Sequence, residues 1–196
     1  MSKPFYVVID AEMSGPDPRQ HDIIDICMIF LDITYEEVCR YKTYIHPVDP
    51  LENWEEAEEI VGYSEEKWKE NNAMTQEEFS SDVISFIKEM QSDCPHGLIP
   101  IGHGIHHDLD YLMMIYDYDT RMWDLINSNA AIDLIALEII WEMIYDDVTP
   151  NPISLQELCD TYCVDLDRPD GRHTASGDAQ ATLEVFRKQM GLLCAI

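Results

Sequence analysis

The sequence predicts an α/β domain in which a mixed β-sheet carries helices on both of its faces. Apolar runs of strand length crowd the start of the chain, and helical periodicity takes over in the middle. One short strand-like stretch then returns between helices, which places a late strand beside early ones. With 196 residues, 46% hydrophobic and 10% aromatic, the chain suits one well-developed core rather than disorder. It shows no internal repeat, no low-complexity linker and no second composition regime, so residues 1–196 read as a single domain.

The elements follow in order. Phe5–Ala11 and Ile23–Leu31 are apolar runs suited to buried strands, and Val38–Ile45 alternates well enough for a third. Gly15-Pro16-Asp17-Pro18 turns between the first two, and Pro47-Val48-Asp49-Pro50 closes the third. Trp54–Val61 is an acidic helix ending at Gly62, a residue suited to the C-cap. Ser64 is the N-cap of the next helix, with Lys67 at its third position. Thr75–Met90 carries Phe79, Val83, Phe86, Ile87 and Met90 at helical spacing. Gly97–Gly102 is the late strand, Asp108–Tyr118 a helix, and Ala131–Ile144 a short strand running into a helix. Ser154 caps a helix through Tyr162, and Gly171-Arg172 precedes a last helix over Ala175–Met190.

The charge is unusual. Asp and Glu number 39 against 12 Lys and Arg, a formal net charge of −27. Such a field repels polyanions and by itself argues against nucleic-acid binding. Met1–Pro4 runs straight into the apolar Phe5–Ile9, so no secretory signal is expected, and no apolar run reaches the length of a membrane span. The six cysteines include no C-x-x-C pair. Cys159 and Cys163 share a helix face but lack a second pair to complete a metal site, and read as reduced thiols in a cytoplasmic, reducing compartment.

Chemistry concentrates in three blocks. Asp10-Ala11-Glu12 ends a buried strand, and residues two apart on a strand point to the same face. Paired hard oxygens at that spacing suit Mg²⁺ or Mn²⁺. In so acidic a chain the bland reading is a solvated pair, as at Asp108/Asp110 and Asp165/Asp167, but the end of an apolar strand is a costly place for one. The second block brings His103, His106 and His107 on a loop before Asp108. Plain loop histidines with a helix-starting acid is one reading; zinc is another, although the spacing is not that of a zincin helix. The third, His173-Thr174-Ala175-Ser176-Gly177-Asp178, puts a histidine at a helix mouth and an acid five residues on, with small residues between that would let something large approach. A cap and a first-turn acid remain the bland alternative.

Together the three blocks resemble, in order and spacing, the three motifs of the DEDDh branch of the DnaQ-like 3′→5′ exonucleases. Asp10-x-Glu12 matches the first, Asp108 the second, and His173-x-Ala175-x-x-Asp178-Ala179 the third. Glu12-Met13-Ser14-Gly15 looks like the oligoribonuclease form of the first motif, and Gly102-His103 through His107-Asp108 is similar to that of small RNA exonucleases related to the interferon-induced antiviral nuclease. Ile60-Val61-Gly62-Tyr63-Ser64 and Ser154-Leu155-Gln156-Glu157-Leu158-Cys159 also resemble family segments, so the likeness spans residues 5–190. The chain departs from the pattern at Val61, Gly104 and His107, where the family commonly has His, Asn and Phe. None of these is a metal ligand, and what they touch is sugar and base preference.

The resemblance implies an RNase H-like fold and two divalent cations, Mg²⁺ or Mn²⁺, held by Asp10, Glu12, Asp108 and Asp178 about 4 Å apart around the scissile phosphate. It implies His173 as general base, a task suited to a histidine, with Met13, Ser14 and His107 against the terminal nucleotide. Single-stranded RNA or DNA 3′ ends are the implied substrate, with RNA or short oligonucleotides slightly favoured, and DNA proofreading the alternative. Dimers are common among the related small exonucleases, so a homodimer is an expected assembly, and an electropositive partner such as a polymerase subunit is the second, since it would offset the charge. A silent binding domain would ordinarily lose one of the five motif residues, and an acidic mimic of nucleic acid would not need the ordered motifs. Clustered carboxylates repel one another, so removing any one of the four is expected to raise the melting temperature of the metal-free protein.

Overall fold

A computed structural model describes residues 3–48, 54–90, 97–115, 125–145 and 153–193. Strands β1 (Tyr6–Met13), β2 (Ile23–Leu31) and β3 (Glu37–Tyr44) form an antiparallel meander, and β4 (Ile99–Gly102) and β5 (Ile132–Asp133) extend it in parallel. The order is β3-β2-β1-β4-β5, with β1 antiparallel to β2 and parallel to β4. The sheet is therefore mixed, as the order of strand and helix signals implies. All nine positions of β2 are buried. A strand covered on both faces has no reason to alternate, which is why its sequence reads as a continuous apolar run.

The strand period divides β1 between two cores. Val7, Ile9 and Ala11 join Met28 and Phe30 under helix α3 (Gln76–Met90), through Phe79, Val83 and Ile87, and under α4 (His106–Ile115), through Leu109 and Leu112. Val8 joins Cys27, Ile29 and Leu31 on the opposite face. That core is completed by α5 (Leu134–Tyr145), α6 (Leu155–Tyr162) and α7 (Ala175–Leu193), which contribute Leu134, Leu158 and Phe186. Asp10 and Glu12 share the parity of Val8, so they face the α7 side. A third cluster forms where α1 (Trp54–Ile60) and α2 (Glu65–Glu70) pack on the end of β2: Trp68 is fully buried beside Ile24, Ala57 and Val61, and its indole N–H donates to Ile24 O at 2.8 Å.

The caps lie where the residue types place them. Ser64 accepts from Lys67 N, and Ser154 forms a reciprocal capping box with Glu157. Gly62, at φ +70°, follows α1 in a conformation that L side chains rarely adopt, and a Cβ there would also lie 2.6 Å from Arg172 Cδ. The helix expected over Asp108–Tyr118 instead begins at His106, because Gly104 N–H donates to Asp133 Oδ1 at 3.1 Å and His107 N–H to Gly104 O at 3.0 Å, closing a turn earlier. Residues 116–118 of that expectation, and Asp49 and Pro50 of the turn after β3, lie outside the described residues. Among the described residues no helix is long and apolar enough to cross a membrane.

Candidate active site

The three motif blocks converge on one pocket, lined among others by Asp10, Glu12, Met13, His103, His107, Asp108, Arg168, His173 and Asp178. Each side chain arrives by a separate piece of local structure. Asp10 and Glu12 project from the α7 face at the end of β1, opposite Cys27 and Asp25 of β2. Asp108 comes from the first turn of α4 and is buried, with Oδ1 accepting from Ala11 N–H at 2.9 Å. That bond reads the backbone between the two β1 acids, so the α4 carboxylate is held to the strand by geometry rather than by a charge partner. Asp178, in the first turn of α7, is buried as well.

The approach to α7 is pinned at three points. His173 N–H donates to Ile60 O at 2.9 Å, and Ala175 N–H to Asp25 Oδ2 at 3.1 Å. At Gly177 a Cβ would lie only 2.3 Å from Asp167 O. Gly177 thus admits the protein's own backbone, at Asp167, against the helix. Arg168 consequently forks onto Asp178, Nε to Oδ1 at 3.2 Å and Nη2 to Oδ2 at 2.8 Å. His173 Nδ1 lies 3.1 Å from the same Oδ2. Glu12, His173 and Asp178 each offer a ligand atom within 4.8 Å of the others, the one such group among the described residues.

Electrostatics mark the pocket as a place with too much negative charge. Burial first, then Asp108, Glu12, Asp178 and Asp25, push Asp10 well above the usual carboxylate range. Burial and the charges of Asp178, Asp25 and Asp108 push Glu12 up to about 8, against some relief from Arg168. Burial raises Asp108 to about 8 although the Ala11 N–H opposes it, and raises Asp25 to about 6 against the bond from Ala175. Carboxylates raised in the fold stabilise it while protonated, below their unfolded values near 4. That stability is lost as pH rises through the folded values of about 6 to 8. The melting temperature in EDTA should therefore fall between pH 5 and pH 8, a window in which ordinary surface carboxylates are already ionised. Thermal melts across that range check this, and a flat profile in EDTA would contradict it.

The remaining expected residues divide. Met13 lines this pocket and an adjoining one formed by Ser14, Gly15, Pro16, Ala57, Ile60 and Val61. Ser14 is only 5% exposed, and its hydroxyl accepts from Asp22 N–H at 2.9 Å, so it offers the adjoining pocket mainly backbone. His107 is exposed, its ring edge-on to Tyr111 at 5.2 Å between centroids. His103 Nε2 lies 2.7 Å from Ile153 O, a structural bond that leaves the three loop histidines without a shared metal position. Cys159 is buried, its thiol raised to about 11 by desolvation, and Cys163 is the exposed cap of its helix. Sequence reasoning missed Asp25 and Arg168. A carboxylate inside an otherwise apolar β2 was the available signal for the first; spacing offered none for the second.

A larger open groove lies elsewhere, lined by Met74, Glu77, Glu78, Ser81, Asp82 and Ser85. Two of its acids are already engaged, Glu78 accepting from Thr75 and Asp82 from the Tyr41 hydroxyl.

The family model for the RNase_T exonuclease domain matches residues 7–186. No curated protein sequence matches the chain. Among solved structures, the fold is similar to that of Escherichia coli Exonuclease I in complex with a dT13 oligonucleotide, with a TM-score of 0.72 at 15% identity over 97% of this chain and 42% of that one. A moderately thermophilic Exonuclease I from Methylocaldum szegediense gives 0.70 at 18% identity over 97% of this chain and 42% of that one. An ExoI/SSB-Ct complex gives 0.69 at 14% identity over 99% and 44%. The chain thus spans less than half the length of the solved proteins it matches.

Proposed function

The chain belongs to the RNase_T exonuclease family, and from that membership we propose that it is a divalent-metal-dependent 3′→5′ exonuclease that releases nucleoside monophosphates from single-stranded nucleic-acid 3′ ends. The observation that carries this reading is the convergence of Asp10, Glu12, Asp108 and Asp178 with His173 on one pocket.

The donor set fits divalent cations. Its ligands are hard carboxylate oxygens, and the upward shifts of Asp10, Glu12 and Asp108 show negative charge that the protein itself leaves under-compensated. Asp10, Glu12, Asp108 and Asp178 would hold two such ions, Mg²⁺ or Mn²⁺, which supply Lewis acidity at the scissile phosphate and charge stabilisation for the leaving 3′ oxygen. The protein's own work is positioning and proton transfer. Asp178 engages His173 through Nδ1, which leaves Nε2 as the nitrogen to take the proton of the attacking water. Met13 and the backbone at Ser14, facing Ile60 and Val61, wall the space for the terminal nucleotide. His107, exposed and lining the same pocket, would stack on it.

Single-stranded DNA draws support from the dT13 complex of a similar fold. RNA is the second reading, favoured by the Glu12–Gly15 and His106–Asp108 stretches. A panel of 3′- and 5′-labelled DNA and RNA with Mg²⁺ or Mn²⁺ separates the two. Full activity in excess EDTA, or cleavage from the 5′ end, would end the proposal.

The charge sets a further expectation. A chain with 12 basic residues against 39 acidic ones cannot neutralise a long phosphate track, and each neutralised phosphate contributes about −0.7 to the salt slope for single strands. Contact with only the last few nucleotides should make that slope shallow and digestion distributive. Rates against substrate length and added KCl at fixed Mg²⁺ measure this. Tight, processive digestion steeply weakened by salt would show a basic track that the overall charge conceals.

A further inference from the structure

Arg168 enters the acidic pocket from outside the three motifs. It follows α6 and precedes the 3₁₀ turn Pro169–Gly171, and the close passage of Asp167 O over Gly177 presses this segment against the first turn of α7. Both oxygens of Asp178 are occupied as a result, one by Nε at 3.2 Å and one by Nη2 at 2.8 Å. The pair is shielded, with side chains 20% and 6% exposed. Among the described residues no comparable ion pair reaches Asp10, Glu12 or Asp108. A cation coordinating Asp178 therefore meets a carboxylate that a guanidinium already engages at both oxygens, and competes with that positive charge for it.

We propose that Arg168 is an internal counter-ion that holds Asp178 in the metal-free protein and competes with divalent cations for that carboxylate. Metal uptake then releases the guanidinium at the edge of the same pocket. A planar fork with two parallel donors is matched to the non-bridging oxygens of a phosphodiester, so the group displaced from Asp178 becomes a substrate-positioning group. The same contact keeps one like-charged member of the cluster neutralised until a metal arrives, and it brings to so acidic a pocket the one arginine or lysine that lines it among the described residues.

This inference rests on the metal centre proposed above, and direct Mn²⁺ binding to the whole protein tests the two separately. Calorimetric titration of the wild type and Arg168→Met should show Mn²⁺ bound more tightly by the variant, by about 5-fold or more, the lower end of ordinary coupling between competing sites. The metal-free variant should melt lower, since Asp178 loses its partner, and its KM for a short oligonucleotide should rise. Arg168→Lys, which keeps the charge without the fork, should lie between the two in Mn²⁺ affinity and provides the comparison if the methionine variant does not fold. Unchanged or weaker Mn²⁺ binding in a folded variant would make Arg168 a structural tether or a scaffold for Asp178, and would overturn the proposal. A wild-type protein that binds no Mn²⁺ would overturn the metal centre itself, and this inference with it.

Discussion

Asp10→Asn should abolish turnover and, in the same protein, raise the melting temperature measured in EDTA. Asp10 is pushed well above the usual carboxylate range by burial and then by Asp108, Glu12, Asp178 and Asp25. The amide keeps the shape and removes a charge that the fold opposes, so the metal-free state gains stability above neutral pH. For a domain of this size each kcal/mol is worth roughly 2–4 °C in melting temperature. The wild type should recover that deficit when metal is added: ligand at about 100 times its Kd contributes about 2.7 kcal/mol, or roughly 5–10 °C. Asp10→Asn should respond far less. Asp178→Asn is the instructive contrast. The general expectation that relieving any of the four carboxylates raises the metal-free melting temperature does not carry over to it. Asp178 is paired with Arg168 at 2.8 Å and with His173 at 3.1 Å, so its loss leaves a guanidinium unmatched. That variant should be inactive and should melt lower in EDTA. Thermal melts with and without Mg²⁺ decide both cases, and equal metal-induced shifts in wild type and Asp10→Asn would remove Asp10 from the metal site.

His173→Ala should lose roughly 10²- to 10⁴-fold in kcat, the usual worth of a positioned general base. Its backbone N–H bond to Ile60 O involves no side-chain atom, so the path into α7 should survive the change. Mn²⁺ affinity should change little, because the four carboxylates remain, and added metal should not restore the rate. Single-turnover rates across a metal titration test this. If the variant keeps the wild-type rate, His173 is a helix-mouth residue and no more. If high metal restores the rate, the histidine acts through Asp178 rather than on water.

The Ile60–His173 bond also links the wall of the pocket beside Met13 to the mouth of α7. Ile60 and Val61 line that space together with Met13, and Arg172 lies against Gly62 immediately after them. None of these contacts is written in a local pattern. The Ile60–His173 and Gly62–Arg172 contacts join residues more than a hundred positions apart, and they exist because α1 and α2 pack on the end of β2 through Ala57, Val61 and Trp68.

What the sequence determined by itself is whatever repeats at the period of one element. Alternation along β1 placed Asp10 and Glu12 on one face, the continuous run over Ile23–Leu31 announced a strand buried on both sides, and Ser64, Gly62 and Ser154 marked helix ends through bonds made within a few residues. The order of the three motif blocks carried the family, and the order of strand and helix signals carried the mixed sheet. Only the tertiary structure decided how the charges are paired. Asp108 is held by the Ala11 amide, Asp25 by the mouth of α7, and Asp178 by Arg168 across a loop. In a chain with 39 acids and 12 bases, spacing cannot say which carboxylate obtains a cation. Coulomb energy depends on separation and burial, and both are set only by the fold, for Asp178 where the backbone at Asp167 closes over Gly177.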